Sequence, residues 1–425
     1  MKKFFLESKK IQQSIHKYSP TIIFILCIIS IILLPYKPNI TSKIFNLTGI
    51  ISIIIALIYP KYYLRSNILI ISVPLFLIGL SNLAWVELYK TDDSIYKNVY
   101  YGYFQMGKIA IFCSFILLFT NKQKKSIIIN KLYVFSAFII QIGIFSYAIY
   151  QAFYLHYPRV ELSFSNASNA TGAAYSIIFL SIYTQAVFLQ SKLKFNYSFY
   201  FLSLVLTYLI IILTETRAGI LLYPFVSILI FILYSNKVKT VNKKKFVLPF
   251  LIILSCILVF KDTISSRMTQ ASHEIVLYIE EGKKSSVGDR LAIIKAGIYS
   301  SSDNLFWQSA EERNSKIITL AKADKSLQGA RNHFHAHLHN DLIETLSTKG
   351  WVNGILLTLA FYFAIIFYAL KYSKNPFLLG FSISLIILGF SDTLIISTQV
   401  SLSWCLALIL ILSYQYNQQT AINET

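Results

Sequence analysis

Charge is what this chain has least of. Only 14% of its 425 residues are charged, whereas 55% are hydrophobic. Acids are the scarcer sign, with 19 Asp and Glu against 39 Lys and Arg. A soluble domain of this length needs a charged surface, so the shortage excludes that class and leaves a polytopic membrane protein. Cysteine is also rare. Cys27, Cys113, Cys256 and Cys405 each sit in a different apolar run, which argues against a disulfide framework or a cysteine metal set and marks them as small core residues. A Walker phosphate loop, a dinucleotide glycine fingerprint and a GxSxG elbow are all missing, so nucleotide-driven and serine-hydrolase chemistries lose their signatures. The net charge of +20 has the right sign for nucleic acid. No basic and aromatic ladder accompanies it, however, and its distribution follows membrane topology, so no nucleic-acid partner is expected.

What is present is apolar sequence. A basic leader precedes the run Thr21 to Pro35, and no small-residue cleavage site follows, which predicts an uncleaved first span. Further runs fall near 44–60, 68–84, 99–119, 132–154, 172–190, 198–214, 218–234 and 246–260. After a long polar interval come 351–370, 376–391 and 394–414. The expected fold is therefore all-α, with about twelve transmembrane helices in two membrane portions, 1–260 and 351–425. Between them, 261–350 is a large loop expected to hold amphipathic helices.

The connections alternate in charge. Lys61 and Arg65, then Lys122, Lys124, Lys125 and Lys131, then Lys192 and Lys194, then Lys237, Lys239 and Lys243 to Lys245, then Lys371 and Lys374 share a side with the basic leader. The opposite connections are poor in lysine and carry Glu87, Asp92, Asp93 and Glu161. The positive-inside rule puts both termini in the cytoplasm and the 261–350 loop outside. The short turn TETRAG, with Arg217, falls on the same outer face. An arginine there runs against the charge bias, so it is either a snorkelling helix end beside Glu215 or a functional cation. Mid-span charge is scarce, Lys108 being the main instance, which disfavours an ion-coupled transporter.

The loop has its own pattern. Residues 261–281 read as a helix, and GDRLAIIKAGIYSS reads as an amphipathic helix on the membrane surface, capped by Asp289, with Arg290 in its first turn. A cation there, beside first-turn amides, is placed to receive an anion. Residues 311–332 read as a mixed-charge linker. At the end of the loop lies HFHAHLHNDLIETLSTKG, which holds four of the chain's seven histidines, His333, His335, His337 and His339. Asp341 and Glu344 have capping-box spacing ahead of an apolar helical run, so His339 sits just before a helix start, where an imidazole can exchange protons near neutral pH. If the run were a strand, its four imidazoles would share a face and could hold zinc. No second conventional ligand pair supports that, and a site without metal is expected.

Three segments, TETRAGI, GDRLAIIKAG and HLHNDLIETLSTKG, taken in this order and on one face, resemble the signature of the bacterial O-antigen ligases. That wider family includes O-antigen polymerases and protein O-oligosaccharyltransferases. The resemblance implies a twelve-span fold with a large periplasmic loop. It puts the family's two functional arginines on Arg217 and Arg290 and its motif histidine on His339, with His337 and Asn340 completing H-x-H-N. The chain departs from the pattern in two ways. His333 and His335 are extra, and the glycine-rich run before the histidines is reduced to Gly329.

The resemblance implies an inner-membrane glycosyltransferase that moves a glycan from undecaprenyl pyrophosphate to lipid A–core oligosaccharide, with its site facing the periplasm and no cofactor. A polymerase extending the same glycan, or less readily an exporter, are the alternatives. In this reading Arg217 and Arg290 bind the pyrophosphate and His339 is the base of an inverting displacement. Glu344 is expected to orient His339, and His337, Asn340 and Glu344 complete the substrate contacts.

Overall fold

The computed structural model describes the chain apart from residues 1, 92–94, 123–126, 163–168, 238–246, 248–250, 252–253, 255–256, 259, 282–284, 302–304, 333–336, 396–397 and 423–425. Among the described residues every regular element is helical. The membrane helices are α1 (Lys2–Leu33), α2 (Pro38–Ile58), α3 (Leu69–Tyr89), α4 (Lys97–Leu117), α5 (Ile127–Ile149), α6 (Ala170–Gln190), α7 (Asn196–Leu213) and α8 (Arg217–Lys237). The loop layer contributes α9 (Lys261–Glu281), α10 (Ser286–Tyr299) and α11 (Ala310–Ala323). Then come α12 (Asp341–Gly350), α13 (Leu357–Phe367), α14 (Pro376–Ser391) and α15 (Thr398–Ile422).

Nine helices among the described residues are long and apolar enough to cross a membrane, and Pro376–Ser391 and Val400–Tyr414 are shorter apolar helices. The chain is thus an all-α, multi-pass membrane protein. The expected span at 246–260 lies largely outside the described residues.

The bundle is built around α6. Its sequence is apolar on all sides, and it is buried along its whole length, the condition in which a uniformly hydrophobic helix is stable. Helices α5, α7, α8, α14 and α15 pack around it. Asn169 starts it, its side chain accepting from the Thr171 and Gly172 amides. The polar groups inside this bundle are neutral and bond to one another. Ser203 donates to Gln141 at 2.7 Å, and Gln185 donates to the Tyr223 hydroxyl at 2.6 Å. Such bonds hold helices together where water is absent.

Two local expectations change. Residues 311–332 are no linker: Ser309 caps α11 by accepting from the Glu312 amide, and a 3₁₀ turn, Lys325–Asn332, follows. Glu311 and Glu312 stand in the first turn, where the helix dipole favours acids. Ser285, not Asp289, caps α10, so Arg290 enters the second turn. The face of α10 that carries Leu291, Ile294 and Ile298 stays partly exposed, and another side of the helix packs inward. Ala292, Ile293 and Ala296 are buried against Ile317 and Ala321 of α11 and against Leu327, Ala330 and Leu338. Gly329 permits this approach, since a Cβ there would lie 2.4 Å from the Asp289 carboxylate. The loop layer therefore has a small core of its own. It docks on α3 through the Trp85 indole N–H, which donates to the Gln308 carbonyl at 2.9 Å.

Candidate active site

The chain around His339 is shaped by a cap and a turn. Asn340, not Asp341, is the cap of α12, its carboxamide oxygen accepting from the Leu342 and Ile343 amides at 3.0 and 3.1 Å. Its amide group donates to the Phe390 carbonyl at 2.9 Å, so both polar ends of Asn340 face inward. To enter this cap, His339 adopts a left-handed backbone with φ 51°. Histidine tolerates that region better than most residues, but it still costs on the order of 1 kcal/mol. The surrounding bonds must hold it there.

Asp392 receives the two histidines. It is extended, in the break between α14 and α15. Its Oδ1 lies 3.2 Å from His337 Nε2 and 3.1 Å from His339 Nδ1, and accepts from the Thr393 amide at 2.8 Å. Burial disfavours its charge, yet the two imidazole hydrogen bonds outweigh burial and hold it well below the usual carboxylate range. An ionised carboxylate can only accept, so both facing ring nitrogens carry protons. His339 thereby presents Nδ1–H to Asp392, and its neutral tautomer has its lone pair on Nε2. For His337, burial disfavours the charged ring, but the Asp392 bond and charge prevail and raise its pKa. The rings are 4.5 Å apart, edge to face.

Three ligand atoms of His337, His339 and Asp392 lie within 4.8 Å of one another, a spacing that a cation could use. The same oxygen meets both ring nitrogens at hydrogen-bond distance, however, and a metal would have to break those bonds. His333 and His335 lie outside the described residues, so the four-histidine strand is not among these contacts.

Ser391, the residue before Asp392, lines a cavity of about 250 Å³. Arg159, Arg217, Arg267 and Arg290 line it, together with Tyr175 and Ser391. Ser391 joins the two halves: it precedes Asp392 in the chain and bonds the Tyr175 hydroxyl at 3.0 Å. Arg217 opens α8 and is 3.7 Å from Glu274, while Arg267 pairs with Glu215, a residue with φ 52°. Arg159 donates to the Thr214 carbonyl at 2.9 Å. Among the described residues Arg290 has no ion-pair partner. Burial and then the Arg267 charge lower the Arg159 pKa, as expected where cations crowd. Four guanidiniums line the cavity, against Glu215 in its wall, Glu274 beside Arg217 and Glu161 near Arg159, so the site keeps surplus positive charge and favours an anion.

Residues 201–359 match the family model described as O-antigen ligase. The chain is also 31% identical over 363 residues to an O-antigen ligase of Escherichia coli (strain K12), covering 82% of this chain and 83% of that protein. The chain belongs to the O-antigen ligase family.

The O-antigen ligase match spans Arg217, Arg290, His337, His339, Asn340 and Glu344, and it stops short of Asp392. The structure brings Arg217 and Arg290 into one cavity and His337 and His339 onto one carboxylate. Glu344 is fully buried with Arg313 and reaches the histidine pair through the backbone, accepting from the Leu338 amide. Asp392, Arg159 and Arg267 were missed from sequence. Asp392 did leave a signal, being the one charged side chain between Lys374 and Glu424. A lone acid between apolar helices is a functional candidate on energetic grounds. Arg159 left only the weaker signal of lying on a connection without lysine, and Arg267, in a loop that also holds several lysines, left none.

Proposed function

We propose that this O-antigen ligase family member transfers a glycan from a polyprenyl pyrophosphate, of the undecaprenyl type, to a sugar hydroxyl of lipid A–core oligosaccharide at the periplasmic face of the inner membrane. The observation that carries this reading is the adjacency of an arginine-lined cavity and a carboxylate-held imidazole, joined at Ser391 and Asp392. His339 Nε2 takes the acceptor hydroxyl proton as that oxygen attacks the anomeric carbon. The bond from that carbon to the pyrophosphate oxygen breaks, and the displacement inverts the centre. Asp392 holds the imidazole in the required tautomer and offsets the imidazolium charge that forms.

The leaving pyrophosphate gains charge, which Arg217 and Arg290 receive in forked hydrogen bonds, with Arg159 and Arg267 completing the field. No step requires a metal or other cofactor. In this proposal Asn340 and Glu344 act by holding the histidine turn rather than by touching substrate. Lipid-linked donor and acceptor both enter from the bilayer, so the partners are membrane lipids and these two glycolipids.

The test is a deletion strain analysed for its lipopolysaccharide and carrier lipid. Full-length glycan stranded on the carrier, restored by the wild-type gene and not by His339→Ala, is the expected result. Core bearing a single repeat unit would instead make the protein the polymerase that extends the glycan.

A further inference from the structure

The polar side chains of α12 do not face the cavity, yet three fully buried ionisable side chains gather around this helix. Asp341, Glu344 and Arg313 are each 0% exposed. Burying ionised groups is costly unless every charge is paired and hydrogen-bonded, so their arrangement calls for an explanation beyond helix capping.

Glu344 divides its two oxygens. Oε1 accepts from Arg313 Nη1 at 2.9 Å and from the Tyr103 hydroxyl at 2.7 Å. Oε2 accepts from the backbone N–H of Leu338 at 2.8 Å. Leu338 stands between His337 and His339, so this bond grips the backbone at the centre of the histidine pair. Asp341, one helical turn earlier, does the same for the other side of the relay. Its Oδ1 accepts from the Ile395 amide at 2.9 Å, and its Oδ2 from the Tyr362 hydroxyl at 2.7 Å. Ile395 lies three residues beyond Asp392. Two carboxylates on one rigid helix thus hold the two turns whose side chains must meet at 3.1 Å.

We propose that Arg313, acting through Glu344, is a positioning residue for the histidine base, with Asp341 as its counterpart on the Asp392 turn. Arg313 belongs to α11, in the stretch that reads from sequence as a linker, and it does not line the cavity. Its guanidinium fixes the Glu344 carboxylate so that one oxygen points at the Leu338 amide. That bond resists relaxation of His339 from its left-handed backbone. Loosening it leaves the donor cavity intact and lets the imidazole wander, and displacements of about 1 Å in a reacting group cost rate on the order of 100-fold. This inference rests on His339 being the base.

The test uses the full-length protein in proteoliposomes. Arg313→Ala alone would strand a buried carboxylate and risks misfolding, so the informative variant is the neutral pair Arg313→Met with Glu344→Gln. Expected are unchanged melting in detergent, unchanged donor KM, a kcat lower by about 10- to 100-fold, and faster hydrogen exchange at the Leu338 amide. In a His339→Ala background the same pair should cost no further rate, because a positioning residue acts only through the group it positions.

Wild-type kcat in the folded double variant, or a loss that multiplies with that of His339→Ala, overturns the proposal. A loss confined to donor KM or to melting overturns it as well. Full activity of His339→Ala alone would instead remove the base reading, and Leu338 exchange would still report whether the clamp exists.

Discussion

Asp392→Asn removes one negative charge and almost no volume, so it isolates what the carboxylate does. In the wild type one oxygen accepts from His337, His339 and the Thr393 amide at 3.2, 3.1 and 2.8 Å. An amide oxygen can still accept, but it offers no charge to the imidazolium that forms when His339 takes a proton. A hydrogen bond to a charged group is worth about 1.5–3 kcal/mol, against about 1 for a neutral one. At about 1.4 kcal/mol per decade, exchanging the charged bond for a neutral one, a difference of about 0.5–2 kcal/mol, slows transfer by roughly 2- to 30-fold. If the amide turns its NH₂ toward His339, the imidazole takes the wrong tautomer and the loss exceeds that range. The assay is glycan transfer in proteoliposomes at saturating donor, with kcat and KM separated. The cavity arginines are untouched, so donor KM should hold while kcat falls. Wild-type kcat in Asp392→Asn would refute the relay, since two imidazoles on one carboxylate would then have no catalytic consequence.

Arg217→Ala or Arg290→Ala should abolish transfer without loss of protein from the membrane, and lysine should restore it only in part, because a point charge does not reproduce forked geometry. Arg159→Ala and Arg267→Ala should act mainly on donor KM, by about tenfold for one charged hydrogen bond; equal kcat losses at all four would spread the catalytic role evenly. His333→Ala and His335→Ala should be nearly silent and EDTA without effect, whereas chelator-sensitive transfer with matched losses at His337, His339 and Asp392 would assign a cation to that trio. For His337, burial disfavours the charged ring but the Asp392 contact raises its pKa above 6.5, so its stabilisation is complete below about 6.5 and fades as pH rises through the folded value. Amide exchange at 337–340 should therefore quicken above neutrality, and Asp392→Asn should flatten that dependence. Single cysteines placed in 262–281 should react with an impermeant thiol reagent in intact spheroplasts, and labelling in 237–245 instead would invert the topology.

Much of the architecture was legible because it follows from properties that each segment carries alone. Long apolar runs demand helices in a membrane, whatever their neighbours, so the spans from α1 to α8 could be read one at a time. The helix at 261–281 was likewise readable from its own periodicity. Arg217, Arg290, His337 and His339 could be named as candidates because short motifs mark them, and the fold puts the arginines on one cavity and the histidines on one carboxylate. The fold of 311–332 was not readable, because α11 is polar and gains its stability by burying Ile317 and Ala321 against α10. Capping was misread at Asp341 and Asp289 for a related reason. Several polar residues near a helix start can cap it, and the backbone turn selects one.

Asp392 is the clearest division. Sequence shows a lone carboxylate in a break between apolar helices, 53 residues from His339. Only the packing of α12 against α14 carries it to the imidazole and lowers its pKa. The same holds for Arg313, which reads as one charge in a polar stretch. Hydrophobic burial adds up along the chain and leaves a local pattern, whereas a hydrogen bond between distant side chains exists only once the tertiary structure has brought both partners together.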